Sequence, residues 1–438
     1  MAGYFSKTDF TPSTSNTYTV SFWVKINNFA PTSTNVPYLW SISDSDTSGL
    51  FFQADQTPYN ITFFRNNGST RYSPTNYMRD INAWYHIHLK VSSGTGTLYY
   101  NGESVKTSIT VDAQNYNGGG AEHYIHTYGS ATSTYDNLEC IMSHFHFVDG
   151  TAYEPTVFGS TDSTTGEWKI NTSPSVTYGT NGYFILKDGN TGTDHSGNGN
   201  NFTLTGTCTK TEDCPSNVFA TWNPLYKNNS TFSNGNTTSA SGSSGEFNSA
   251  STLGMSSGKW YMEFKRVSGN YPIFGIVDDI ALAEYSNADM GLGKTGTTKS
   301  IALRLNDGKT RVNNVMSTQG GSISNGDIVG VAVDKTTNKI YFSKNGQWSN
   351  GSGAWDSTTF NASTGATDVS SILTGGTWFF ACGTDTGEAS VTFSANFGNG
   401  YFGTTAVSSA GTNASGIGIF EYDVPNGFTA LSTKGLNL

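Results

Sequence analysis

Tyr18-Thr19-Val20-Ser21-Phe22-Trp23-Val24-Lys25-Ile26 places an apolar side chain at every second position. A period of two sends alternate side chains to opposite faces of a strand, so this run reads as a strand with one buried face. Tyr85, Ile87, Leu89 and Val91 repeat the pattern, alternating with Trp84, His86, His88 and Lys90. It returns over residues 328–334, 339–343 and 391–397. Asn101-Gly102 follows Leu98-Tyr99-Tyr100, and Asn345-Gly346 follows Ile340-Tyr341-Phe342. Asn-Gly favours the type I′ turn that closes a tight hairpin. Only residues 281–290 read as helix, and the stretch is short. Many short strands separated by Gly/Asn/Ser turns predict an all-β chain of two antiparallel β-sandwiches of jelly-roll type.

The chain has 438 residues, with 13% charged, 35% hydrophobic and 13% aromatic residues. That length is ample for two cores. The 23 Tyr, 27 Phe and 9 Trp exclude a disordered chain despite the Ser/Thr/Asn/Gly texture. A net charge of −10 argues against nucleic acid and anionic membranes as partners, since both require clustered cations. No apolar run is long enough to insert in a bilayer; the longest is Trp378-Phe379-Phe380-Ala381-Cys382. Residues 1–7 lack the basic and apolar regions of a signal peptide. Sequons at Asn60, Asn201 and Asn413 are therefore read as chance. Of the four cysteines, only Cys208 and Cys214 are close enough in sequence for a local disulfide, the alternative being free thiols in a reducing cell.

A boundary is expected near residues 208–225, where Pro215 and Pro224 bracket Trp222-Asn223, giving domains 1–215 and 216–438. Residues 228–245 have the composition of a linker, yet Phe232 fits equally well with polar first strands of the second domain. Over residues 259–267, Trp260, Met262 and Phe264 alternate with Tyr261, Glu263 and Lys265, and the first set is expected to face the core. Gly330 suits a close sheet-to-sheet approach.

Three stretches resemble a concanavalin-like, laminin-G-type module: residues 18–25, Ala83-Trp84-Tyr85-His86-Ile87-His88, and Leu98-Tyr99-Tyr100-Asn101-Gly102-Glu103. Residues 145–150, 178–182, 194–200 and 217–225 are similar to phrases of marine bacteriophage virion proteins that contain such a domain. The second half resembles a SPRY-type sandwich through residues 257–263, 326–334, 340–346 and 396–398. Residues 422–431 again resemble the close of such phage proteins. The resemblance implies a laminin-G-like sandwich followed by a SPRY-like one. It also implies a virion location on a phage tail or capsid surface, after synthesis in the host cytoplasm, with other virion proteins as partners.

No catalytic constellation stands out. Glucanases of this fold place their acids on one strand as Glu-x-Asp-x-x-Glu or Glu-x-Asp-x-Glu. Glu421-Tyr422-Asp423 is the single Glu-x-Asp and lacks the third acid. His86 with His88, and His144 with His146, have the spacing of strand-borne zinc ligands, but no acid or cysteine completes a set. They are read as histidines on a wet strand face. Residues 117–120 lack the Lys-Ser/Thr of a phosphate cradle. Residues 188–200 have the oxygen-rich look of a calcium loop, with Asp188 and Asp194 as the anionic ligands, though a structural turn is the preferred reading. Trp348 and Trp355, in the loop 347–359, suit stacking on a sugar or a partner, against the alternative of plugging a sandwich end.

The expected protein is thus a non-enzymatic virion structural protein: a tail fibre, knob or decoration subunit contacting host surface glycans or other virion proteins. Laminin-G-like strands that begin almost at once leave no room for a shaft, which favours a knob or decoration in a symmetric homo-oligomer such as a trimer. The alternatives are a purely architectural subunit and a polysaccharide depolymerase.

Overall fold

The computed structural model describes residues 3–11, 13–28, 38–45, 48–55, 60–65, 70–74, 78, 83–111, 114–115, 122–127, 139–187, 191–208, 210–241, 248–279, 292–293, 299–385 and 391–437. Strands dominate them, and single 3₁₀ turns occur at Pro155–Val157 and Gly435–Asn437. The helix expected over 281–290 and the Gly-rich segment 117–120 lie outside the described residues. The chain divides into two compact units, residues 1–210 with 214–216, and residues 211–213 with 217–438.

The first unit pairs a seven-stranded sheet with a six-stranded one. The six-stranded sheet runs Glu103–Thr110, Thr95–Tyr100, Trp84–Ser92, Tyr18–Asn28, Glu139–Asp149, Tyr183–Ile185, all antiparallel. Tyr18, Val20, Phe22, Val24 and Ile26 are all buried in the core, as their alternation requires. Trp40, from the strand Tyr38–Ser45 of the seven-stranded sheet, meets Phe145 and Phe147 of the facing sheet with ring centroids 6.3 and 6.2 Å apart. Asn101 (φ 47°) and Gly102 (φ 80°) form the expected hairpin turn, a backbone shape that Asn and Gly adopt most cheaply.

The second unit sets a seven-stranded sheet on a ten-stranded one. Lys259–Ser268 lies between Ile328–Asp334 and Thr392–Asn396, and Pro272–Asp278 lies between Ser300–Arg304 and Trp378–Thr384. Phe264 stacks on Phe274 at 3.8 Å and joins the two layers. Of the two readings left open for residues 228–245, the described part takes the second, as the polar strands Ser230–Ser233 and Thr238–Ser241. Thr429–Ala430 returns to pair, in parallel, with Trp260 and Tyr261.

Gly275 sits mid-strand where a Cβ would lie 1.8 Å from the backbone oxygen of Ile301. A backbone atom between paired strands cannot step aside as a flexible side chain can. Gly275→Ala is therefore expected to destabilise the second unit by about 3 kcal/mol. Urea melts of the two proteins test this, and equal midpoints would contradict it.

Candidate functional site

Alternation predicts that the second face of the six-stranded sheet is wet. The structure corrects this: Thr19, Ser21, Trp23, Lys25, His86 and His88 are all buried. The cover is the segment that follows the strand Glu139–Asp149. It contributes Tyr153, the turn Pro155–Val157, Phe158, the hairpin Gly159–Thr161/Trp168–Ile170, and Tyr178. His146 lies 4.9 Å from the Phe158 ring and 4.0 Å from Phe184.

The histidines of this layer are individually partnered. His86 Nε2 lies 2.8 Å from Ser21 Oγ, and Trp168 Nε1 donates to His86 Nδ1 at 3.0 Å. An indole N–H can only donate, so His86 Nδ1 has no proton and Nε2 holds it. Trp23 stacks on the imidazole at 5.0 Å, and the Trp168 ring, which donates to its edge, lies nearly parallel to it at 5.9 Å. His88 Nε2 faces the Tyr153 carbonyl oxygen at 3.0 Å, so the proton is on Nε2; its Nδ1 is buried without a partner. His146 Nδ1 meets the Tyr178 hydroxyl at 2.8 Å. His144, at a register shift with φ +49°, has Nδ1 2.7 Å from Ser143 Oγ.

Burial holds His86 and His146 well below the ordinary imidazole value, with neighbouring histidines adding to the effect. Burial lowers His88 to about 4, opposed by the Tyr153 carbonyl and Glu154. The nitrogens point at separate partners and converge on no common point. Among the described residues no group of three His, Cys, Asp or Glu side chains could hold a metal.

Asp194 is part of a hydrogen-bonded turn. Its Oδ1 accepts from the amides of Phe184 and Ser196, both at 2.9 Å. Its Oδ2 accepts from the Ser196 hydroxyl and the Asn200 amide, both at 2.8 Å. Four donors saturate the carboxylate, which pins a turn and has no lone pair left for a cation. Asp188 lies outside the described residues. No disulfide joins Cys208 to Cys214, and Cys214 Sγ sits 3.2 Å from the Ser216 hydroxyl.

In the second unit the two loop tryptophans part company. Trp348 is buried, 5.0 Å from Phe360 and 6.3 Å from Tyr261, so it is core and has no face for a ligand. Trp355, on the edge strand Trp355–Ser357, is only partly buried. Its Nε1 donates to the Gly321 carbonyl oxygen at 2.7 Å. A Cβ on Gly320 would lie 2.3 Å from its ring, so the indole is laid flat against glycine backbone. In the same loop, Asn350 Nδ2 donates to Asp356 Oδ2 at 2.8 Å, and Asn350 Oδ1 accepts from the Ser352 and Ala354 amides. An indole pinned by its nitrogen and only partly buried offers a surface on which a ring or sugar can stack. This is the candidate binding site.

The carboxylates of this unit do structural work. Glu263 is fully buried and its carboxylate accepts from the Glu421 and Tyr422 amides, each at 2.8 Å, and from the Tyr261 hydroxyl at 3.1 Å. Burial raises it to about 7, and the two amides pull the other way. Glu421 accepts from the Ser408 amide and hydroxyl, and Asp423 from the Thr412 amide and hydroxyl. The Glu-x-Asp pair thus ties down the loop 408–412. Tyr261 and Glu263 belong to the face expected to be wet, and residues 420–422 cover it. Gly330 opens room on this covered face, where a Cβ would lie 2.5 Å from Ser343 Oγ and 2.7 Å from the Tyr261 hydroxyl.

The sequence reading missed the covering residues Tyr153, Phe158, Trp168 and Tyr178. The available signal was an irregular segment too rich in large rings for a solvated loop.

Residues 2–138 match the sequence family described as the Concanavalin A-like lectin/glucanases superfamily, and this part of the chain is laminin-G-like. No curated protein matches the chain. Among solved structures, the SPRY domain of human HERC1 is 16% identical, with 40% of this chain and 96% of that chain covered and a TM-score of 0.30. A putative carbohydrate binding protein from Bacteroides ovatus is 15% identical, with 47% and 56% covered and a TM-score of 0.32. Domain 4 of the GH43 extracellular arabinanase AbnA from Geobacillus stearothermophilus, in complex with arabinotriose, is 15% identical, with 31% and 61% covered and a TM-score of 0.25.

Proposed function

We propose that this chain is a non-enzymatic structural protein of a bacteriophage virion, a knob, decoration or tail-fibre subunit, and that it grips host surface glycans through the Trp355 platform. The observation that supports the reading is the fixed, partly buried indole of Trp355 on the Gly320-Gly321 backbone. An apolar sugar face stacks on such a ring. The reading also draws on what the carboxylates are doing. Glu263, Glu421 and Asp423 are each engaged by the protein's own amides and hydroxyls, so none of these three stands ready for acid–base work on a glycosidic bond. Other virion proteins are the further partners, and a symmetric homo-oligomer such as a trimer is the assembly.

A glycan array with the full chain, followed by titration of the best hit, tests the proposal. Trp355→Ala is expected to weaken binding about 10-fold, the equivalent of one lost stacking contact. The same loss is expected for Gly320→Ala, which displaces the ring. Binding to no glycan would leave an architectural subunit, and reducing ends released from host polysaccharide would make it an enzyme.

A further inference from the structure

All seven histidines of the chain fall in the first unit, and three of them are among the points where the covering segment 151–178 is fastened to the sheet beneath it, beside Thr19, which bonds the Thr151 carbonyl and the Tyr153 amide, and Lys90 and Tyr99, which meet Glu154. From this placement we infer that the segment is a roof released by acid. It docks at neutral pH through His86, His88 and His146, and lifts on their protonation while the sandwich below remains folded. The inference is independent of whether Trp355 meets a sugar.

Trp168 can only donate, so a proton on His86 Nδ1 would set N–H against N–H and break that fastening. His88 already donates to the Tyr153 carbonyl, so a second proton would sit on Nδ1, a buried nitrogen with nothing to receive it. His146 would bring a third charge against Phe184 and Phe158. The charges would also repel one another, since the His86 and His88 rings are 5.8 Å apart. Lifting the roof returns all three imidazoles to water, where each binds a proton near pH 6.5. Opening therefore takes up as many as three protons and should be steep in pH.

The other titratable and charged groups at this layer do not cancel the effect. On the sheet, Lys90 disfavours charge on His88, and His144 adds a further imidazole that disfavours charge on His146. Tyr99 is neutral, with its hydroxyl pushed up by burial. On the roof, Glu154 favours charge on His88 but is engaged by Lys90. Asp162 pairs with Lys169 at the exposed hairpin turn. Tyr178 is neutral, pushed up by burial and by Asp194. His195 touches the edge of Phe184 at 5.9 Å.

The test is a pH titration of the full chain labelled with 5-fluorotryptophan, followed by ¹⁹F NMR. The Trp168 signal, assigned with Trp168→Phe, reports the roof, and that of Trp40 reports the core between the sheets. The expected result is that Trp168 becomes solvent-exposed at a pH where Trp40 is still in its native environment, and returns on neutralisation. In the double variant His86→Asn/His88→Gln, which keeps the acceptor and the donor without the titration, the Trp168 midpoint is expected to move to lower pH by about one unit or more. Should the two tryptophans of the unaltered chain move in one transition, or Trp168 not move before the core unfolds, the roof does not open by itself. An unchanged midpoint in a folded double variant would overturn the role of the histidines. The wild-type comparison alone decides the matter if the double variant does not fold.

Discussion

Taking the full chain from neutrality to about pH 4 is expected to remove about 6 kcal/mol of stability from the first unit through His88 and His123 alone. His123 is the core counterpart of the roof histidines. Trp40 Nε1 donates to the Tyr183 hydroxyl at 3.1 Å, and that hydroxyl sits 3.1 Å from His123 Nδ1. With the indole donating to it, the Tyr183 hydroxyl still has its own proton to offer His123 Nδ1. Burial lowers His123 to about 3 and His88 to about 4, against 6.5 for a free imidazole. The unfolded state therefore binds protons that the folded state refuses. This stability is present in full above pH 6.5 and is lost as the pH falls through the folded values. His86 and His146 are shifted in the same direction and add to the loss. A typical domain has only about 5–15 kcal/mol in hand, so the roofed form of the first unit should give way in acid, the roof first and the sandwich beneath it at lower pH. The second unit contains no histidine and should not follow it. Calorimetry at a series of pH values should show two transitions, one falling steeply with acid. Two transitions that keep a constant spacing would refute the expectation.

The second large effect has the opposite sign. Glu263→Leu removes the acceptor for two consecutive backbone amides and a tyrosine hydroxyl, and should cost the second unit about 3 kcal/mol at pH 6. Burial raises this carboxyl to about 7 from an ordinary 4.5, so its contribution is fully present below pH 4.5 and is lost as the pH rises through 7. The second unit is therefore expected to gain stability on mild acidification while the first loses it. Glu263→Gln keeps one acceptor oxygen and has no charge to bury. It should flatten the pH dependence of the second unit between 4.5 and 8 at a smaller cost, about 1–2 kcal/mol. Urea melts of both variants across that range are the measurement. A leucine variant as stable as the parent would mean that residues 420–422 are held by other contacts.

The strands and their inward faces were legible because one physical rule, alternation, governs both. Tyr18 to Ile26 and Trp260 to Phe264 lie where that rule puts them, and Asn101-Gly102 and Asn345-Gly346 turn the chain where their positive φ angles allow. The outward faces were not legible. Alternation separates apolar from polar side chains, and polar ones are normally left to water. Here His86, His88 and Glu263 are polar and buried because each finds a partner in a distant segment. Nothing at the strand itself marks that the partner exists. The same limit explains the site residues. Trp348 and Trp355 sit in one loop with similar surroundings, and only the packing of Phe360 and the backbone at Gly320 tell the plug from the platform. Asp194 has the oxygen-rich neighbours of a calcium ligand because a tight turn and a cation cage both call for carboxylates among Gly and Asn.

The amides that clasp Glu263 lie 158 and 159 residues further along the chain. At about 5–20 residues per second, a ribosome needs roughly 8 to 30 s to make that interval. Throughout that time the nascent strand Lys259–Ser268 has a tyrosine and a carboxylate without their final cover. The C-terminal half can acquire its native form only after synthesis has passed Tyr422. Until then, premature association with a neighbouring nascent chain and shelter by a chaperone compete for the same uncovered strand.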